Sequence, residues 1–487
     1  MIPSYNNTPL LHSMNKFLLI LVSVTLSWTA PSTKATDHFV GNVNAIGEVA
    51  KSVKAGDTLT FASGDWKNVE IKLPNLHGTA EAPITVRALT PGETIITGAS
   101  NFRFSGQYVV VKDFVFRDLT EVKDAVQFRS DSKTLAEHCR MTECVFDQPT
   151  LYKPKGLSTH WLAMYGAHNR VDHCYLGGKS NLGTTLVVRV NEGAGHHRID
   201  HNHFGPRPEL GENGGETIRV GTSDVSESDS FTIVEENYFE SCDGEVEIIS
   251  SKSCENIYRR NVFDRCAGSL TLRHGHRCLV EKNLFLGRGK PNTGGVRVIG
   301  KDHVVRNNYF EGLRGTSSRA TLSLYCGIKD SPLNGYAPVQ NARILHNTLI
   351  DCDSSLEIGA GEKPGRRIYP KDCLIGGNLF STTNREIMRT GPSLSTIRFI
   401  DNANASRNPP HTKDKPIQCR QVTVNWMRDS NGMMRPDASE GMQTSATSLV
   451  ADDIDGDTRS TFAAIGCDEP GANDAAFPTK ESVGPQW

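Results

Sequence analysis

The sequence predicts an all-β fold, a single-domain right-handed parallel β-helix with an N-terminal helical cap. A recurring phrase carries that prediction first: apolar alternation, then Asn-x-Phe or a variant of it, then a turn residue. Its apolar anchors are Phe116, Phe146, Leu176, Phe204, Phe239, Phe263, Phe285, Phe310, Leu349 and Phe380, at intervals of 30, 30, 28, 35, 24, 22, 25, 39 and 31 residues. In a solenoid the shortest interval is one coil and the excess is loop on one face. The second observation is the content of the shortest repeats: two or three short alternating strands and no helical period. The L-x-x-L-x-L spacing of leucine-rich repeats is missing. Third, Asn202, Asn237, Asn261, Asn283, Asn308, Asn347 and Asn378 hold one place in the phrase. Stacked coils would let each amide bond the next while the Phe rings stack inside.

The elements follow in chain order. Lys16 precedes a 12-residue apolar run, Phe17 to Trp28, and Thr33-Lys34-Ala35 offers a cleavage site. A membrane span needs about 20 residues, so residues 1–35 read as a secretory signal, with Met14 a candidate start. The mature chain is expected to be secreted or periplasmic, with no membrane span after signal removal. Ala45 to Val53 carries apolar residues at helical spacing and is the expected cap over an otherwise open end. Coils are expected over 36–403. Residues 404–487 are expected to be loops and a tail packed on the last coils.

Composition excludes several classes. The 487 residues hold 53 Lys+Arg against 55 Asp+Glu, a formal charge of −2, which leaves no global footprint for nucleic acid. An anionic partner must therefore meet a local cluster. At 37% hydrophobic and 22% charged residues, the chain is not disordered. With 7% aromatics, the core must be mostly aliphatic and small side chains. None of the 12 cysteines forms a CxxC pair, which argues against a thiolate zinc site. Cys144 and Cys174 each precede their anchors by two residues, and Cys242 and Cys266 each follow theirs by three. Coils about 4.8 Å apart make both pairs disulfide candidates, with free stacked thiols as the alternative.

Chemistry concentrates in residues 209–300. Glu245 and Glu247 leave one face of a strand, and two carboxylates that close repel unless a cation lies between them. Asn213 comes from the preceding coil. Three oxygen donors suit Ca²⁺. Successive coils bring Lys252, Arg273 and Arg297 to the same wall, which argues for an anionic ligand. A uronate has an acidic C5–H beside its carboxylate, and a cation there stabilises enolate-like charge. Lys252 is the candidate base. Arg273 would stabilise charge and assist departure of the C4 oxygen, giving β-elimination. Arg219, His274 and Tyr336 are further candidate substrate contacts, and Tyr325 a candidate groove residue. A β-helix glycosidase using Glu245 and Glu247 and a non-catalytic polysaccharide-binding protein are the competing readings. His196, His197, His201 and His203 lack a carboxylate or thiolate to complete a zinc set. In Asp453-Ile454-Asp455-Gly456-Asp457, Phe462 stands where an EF-hand has its bidentate Glu, so a turn is expected.

At these residues the sequence resembles polysaccharide lyase family 6, the alginate lyase and chondroitinase B group of parallel β-helix enzymes. The resemblance begins at Ala55-Gly56-Asp57-Thr58-Leu59 and is strongest in Asn213-Gly214-Gly215, in Glu245 to Ser253 and in Leu272-Arg273-His274-Gly275. It implies Asn213, Glu245 and Glu247 as calcium ligands, Lys252 as base, Arg273 as acid and Arg297 as a substrate-binding arginine. It also implies an anionic polysaccharide as partner: alginate first, dermatan sulfate as the alternative. Larger members carry a second β-helix domain, for which this chain is too short, and Val483 to Trp487 looks like the end of a single-domain alginate lyase.

Overall fold

The computed structural model describes residues 34–487 save 155, 191–192, 194, 383–385, 392–393, 407–418, 437–441, 445–449, 460–462 and 470–475. The expected signal lies outside the described residues, as does Phe462. One compact body runs over Thr36–Trp487. It is a parallel β-helix. Among the described residues, three long sheets of 14, 13 and 14 strands run its length, each coil giving one short strand to each sheet.

Every anchor read from the sequence lies in one continuous register down the third sheet, from Phe116 opposite Phe146 to Leu349 opposite Phe380. The rings from Phe204 to Phe310 stack at 4.5–4.8 Å, the spacing of the strands that carry them. The corner between the first and third sheets is a sharp two-residue turn. Its first residue has a positive φ, as at Glu236 (53°), Arg260 (54°) and Lys282 (55°), until Gly377 takes the place at 64°. The Asn that follows makes this corner affordable in a buried setting. Asn237 donates from Nδ2 to Ile199 O and Glu235 O at 2.8 and 2.9 Å, and its Oδ1 accepts the Asn202 N–H at 3.0 Å. The same amide chain continues through Asn261, Asn283, Asn308, Asn347 and Asn378 to Asn402. Each buried amide thus satisfies backbone groups the turn leaves open.

The expected cap forms as helix Ile46–Ser52, with Ile46 buried and Val49, Ala50 and Val53 packed on the core. The disulfide candidates are not bonded: all twelve cysteines are free thiols. Parallel in-register neighbours hold their Cβ atoms near the strand spacing, about 4.8 Å, wider than the roughly 3.8 Å a disulfide prefers. The thiols instead donate to backbone carbonyls, Cys144 to Thr142 O at 3.3 Å and Cys174 to Asp172 O at 3.2 Å. The segment after 404 does not stay on the last coils. One strand, Cys419–Gln421, extends the third sheet. The described part of the remainder lies along the corner row, meeting Lys282 at Asp452, advancing to Gly377 by Gly466 and then running back to Glu143 at Trp487. Gly466 N–H reaches Gly377 O, Arg459 reaches Asn307, Asp452 reaches Lys282, Ala476 O reaches Arg260, Gly484 N–H reaches His201 O, and Trp487 Nε1–H reaches Glu143 O.

Candidate active site

The outward face of the second sheet carries the site. Ile218 pairs with Ile249, a register that sets Glu216 beside Glu247 one coil on. Lys252 closes strand Glu247–Lys252 and pairs across a bulge with His274. Thr271 pairs with Arg297 in the following coil. Parallel stacking therefore gathers onto one wall groups up to 81 residues apart in sequence.

Carboxylate oxygens of Glu216, Glu245 and Glu247 all lie within 4.8 Å of one another. Glu216 Oε2 and Glu245 Oε1 are buried with no hydrogen-bond partner among the described residues. Burial, with Glu216 and Glu247 beside it, pushes the Glu245 carboxyl up to about 8. Three converging carboxylates with orphaned oxygens are the donor set of a hard cation, so the residues fit a metal ion. Asn213 is exposed at the rim of the same cavity, about 400 Å³, which Glu245, Glu247, Arg297 and Tyr336 also line.

The cationic side of the wall is as closely built. Arg297, 5% exposed, pairs with Glu247, which also accepts from Ser250. Lys252 Nζ stands 3.8 Å from Glu216 Oε1. Arg273 lies 3.9 Å from Glu247, donates to Gly335 O at 2.6 Å and stacks 4.0 Å over the Tyr336 ring. Arg273 also meets His274 Nδ1 at 3.3 Å, and His274 Nε2 meets Ser223 Oγ at 3.1 Å. Because guanidinium only donates, Nδ1 accepts and the ring is the Nε2–H tautomer. Burial, then Arg273 and Lys252, hold the His274 pKa down to about 3, so the imidazole is neutral at any working pH. Both its nitrogens are engaged within the wall. Arg219, half-buried two coils before His274, leaves Nε unpartnered. Tyr325 is buried and stacks on Tyr336 at 5.7 Å.

The remaining motifs are structural. His201 meets Asp200 and Glu236 at a positive-φ corner, and His203 lies between Tyr175 and Tyr238. Asp453 Oδ1 accepts the N–H groups of Asp455, Gly456 and Asp457, a turn as expected. Asp455 and Asp468 converge on the Arg435 guanidinium.

A family model described as Chondroitinase B matches residues 40–437. A solved mannuronic acid specific polysaccharide family 6 lyase from human gut microbiota is 32% identical, over 77% of this chain and 87% of that one, with a TM-score of 0.71. The chain belongs to polysaccharide lyase family 6. The PL6 family alginate lyase AlyGC is 36% identical over 93% of this chain, with a TM-score of 0.79; the match covers 58% of AlyGC's length. A PL6 alginate lyase solved with a trisaccharide shares the fold at 20% identity and a TM-score of 0.70. No curated protein matches.

Within this family 6 chain, three wall residues escaped the sequence reading. Glu216 had a usable signal: Glu216-Thr217-Ile218 repeats the pattern of Glu247-Ile248-Ile249. Ser223 arrives on a short 3₁₀ turn, Ser223–Val225. Arg366, 7% exposed, comes from the excursion after strand Ser354–Ala360 and stacks 4.2 Å over Tyr336. Nothing in the periodic pattern marks the last two.

Proposed function

We propose that the protein is a secreted or periplasmic polysaccharide lyase that cleaves a uronate-containing polysaccharide by calcium-assisted β-elimination. The observation that supports this most is the meeting of Lys252, Arg273 and the Glu216/Glu245/Glu247 cluster on one open wall. Residues 17–28 support export, and no helix among the described residues is long and apolar enough to cross a membrane.

Glu245 and Glu247, with Glu216 and Asn213 beside them, would hold Ca²⁺, which supplies neutralisation of the substrate carboxylate and so acidifies C5–H. The remaining work falls to side chains. Lys252 Nζ, as neutral amine, takes the C5 proton. Arg273 cannot act as base; its guanidinium hydrogen-bonds the C4 oxygen as the C4–O bond breaks, and that oxygen leaves with the bonding pair and takes up a proton from Arg273 directly or through water. Arg297 holds Glu247 in place and presents charge to the substrate. Electrons of the broken C5–H bond form the C4=C5 double bond, leaving an unsaturated uronate end. A glycosidase pair is disfavoured because Glu247 is already bound by Arg297 and Ser250.

Alginate is the substrate proposed first, because the similar solved structures at 36% and 32% identity are an alginate lyase and a mannuronic acid specific lyase. Dermatan sulfate is the second, on the Chondroitinase B family match. Ultraviolet absorbance of the unsaturated product on alginate, dermatan sulfate and pectate tests the reading. Absorbance growing on alginate is expected. Binding without absorbance on all three would leave a non-catalytic polysaccharide-binding protein.

A further inference from the structure

Beyond the wall that holds Lys252 and Arg273, we propose a second binding site for the anionic polysaccharide, in the cavity that Lys301, Lys329 and Lys371 surround on the far side of the loop 327–340. The ligand class is taken from the lyase reading above; the site itself stands on its own geometry.

The cavity measures about 420 Å³, within the range of small-ligand sites. Two of its lysines are fixed by the solenoid. Lys301 bridges to Gln340 and Gln340 to Lys371, all parallel and one coil apart. Gln340 N–H donates to Gly300 O at 3.2 Å and Lys371 N–H to Val339 O at 3.1 Å. Two ladder steps put the lysine backbones about 10 Å apart, the length of two pyranose rings in a chain. Lys329 comes from the loop itself. All three are exposed, and none is ion-paired among the described residues. Glu227 also lines the cavity but faces His276 at 3.4 Å, and Asp330 stands beside Lys329. The lining therefore carries three lysines against two carboxylates, a net of +1. On a chain of net −2, such a local cluster is what a polyanion can find. Ala337, Pro338 and Ile368 add apolar surface for the C–H faces of sugar rings.

A larger cavity on the third sheet does not compete. Its Arg288, Arg314 and Arg428 are each already paired, with Asp264, Asp351 and Glu311.

The loop joins the two sites. Its near side gives Gly335 O and the Tyr336 ring to Arg273, while Lys329, Ala337 and Pro338 face the lysine cavity. His276, two residues after His274, lines that cavity too. A long polymer held there keeps its next segment at high effective concentration beside the catalytic wall, a gain that an oligosaccharide seated wholly at the wall does not share.

The test uses the full chain with Lys301, Lys329 and Lys371 all changed to Glu, and a milder variant with all three changed to Gln. Circular dichroism checks the fold. Binding is read as retardation in native gels containing alginate, pectate or dermatan sulfate, in a Lys252→Ala background. Turnover is compared on alginate polymer and on an alginate tetrasaccharide. The proposal expects retardation to weaken and the polymer-to-tetrasaccharide ratio of kcat/KM to fall about a hundredfold, the lower end of the gain from a second attachment point. Unchanged retardation, or an equal fall on both substrates, would overturn it. If the unaltered chain cleaves no uronate polymer, the lyase reading fails, and the gel alone still decides the lysine site.

Discussion

Lys252 and Arg273 are both basic, yet only the lysine amine can give up its proton and so serve as a base, and that asymmetry sets the first prediction. Lys252→Ala should cut turnover by about a hundredfold to ten-thousandfold, the usual worth of a general base, with substrate binding nearly intact. Lys252→Arg should be as inactive, since it keeps the charge without an accessible lone pair. Arg273→Lys should keep some activity. Product absorbance on the three folded variants measures this, and near-normal turnover by Lys252→Arg would move the base elsewhere. The tautomer of His274 sets the second. Ser223 accepts its Nε2–H, which leaves Nδ1 open to Arg273. Ser223→Ala should lower kcat about two- to tenfold, the worth of one net hydrogen bond of about 0.5–1.5 kcal/mol. KM should hold, and Ser223→Thr should restore the rate. A rise in KM instead would mean that the turn merely shapes the groove.

At the scale of elements, strand Glu247–Lys252 and the bend before it, which holds Glu245 where the sequence predicts strand, couple metal, charge and stability. Without metal the folded Glu245 carboxyl titrates near 8 rather than the ordinary 4.5. Between those values the folded state holds a proton that the unfolded chain has released. Its contribution is therefore full below about pH 4.5 and is lost as pH rises through 8. Chelator-treated protein should melt progressively lower from pH 5 to 8.5, with activity abolished; Ca²⁺ should restore the activity and flatten the trend. Full activity after stripping would remove the calcium assignment. The amide ladder gives a second test. Asn261→Ala would orphan the buried Asn237 N–H and take a second hydrogen bond from the Val234 and Arg259 carbonyls, at about 1–3 kcal/mol for the one group left unsatisfied, readable in denaturant midpoints.

These elements were also the most legible part of the sequence. Phe anchors and Asn residues recur because every coil solves the same corner in the same way, so one pattern read ten times exposes the register. Glu245, Glu247, Lys252, Arg273 and Arg297 were visible because they break that pattern at positions meant for solvent. Tyr336 reaches Arg273, and Arg366 reaches Tyr336, only through long excursions whose paths no period encodes. The cysteine pairs failed for a related reason: register showed that they stack, but the direction of parallel Cβ bonds decides that they do not bond.

For the whole molecule, the tail along the corner row changes the arithmetic of a solenoid. Coils alone touch only their neighbours, so stability adds locally and ends can fray. The tail ties Gly377, Asn307, Arg260, His201 and Glu143 to one continuous stretch of chain. Removing residues 476–487 should lower the melting temperature by a few degrees and broaden the transition, because the coils near Glu143 and Arg260 would then open independently. Calorimetry would show this; an unaltered, equally sharp transition would mean that the tail contributes nothing.

That same tail has a consequence for biosynthesis. Coils can stack as they leave the ribosome, N-terminal ones first, but residues 476–487 are made after every coil they bind. The corner beside Glu143 and the one beside Arg260 therefore wait, half-finished, through most of synthesis.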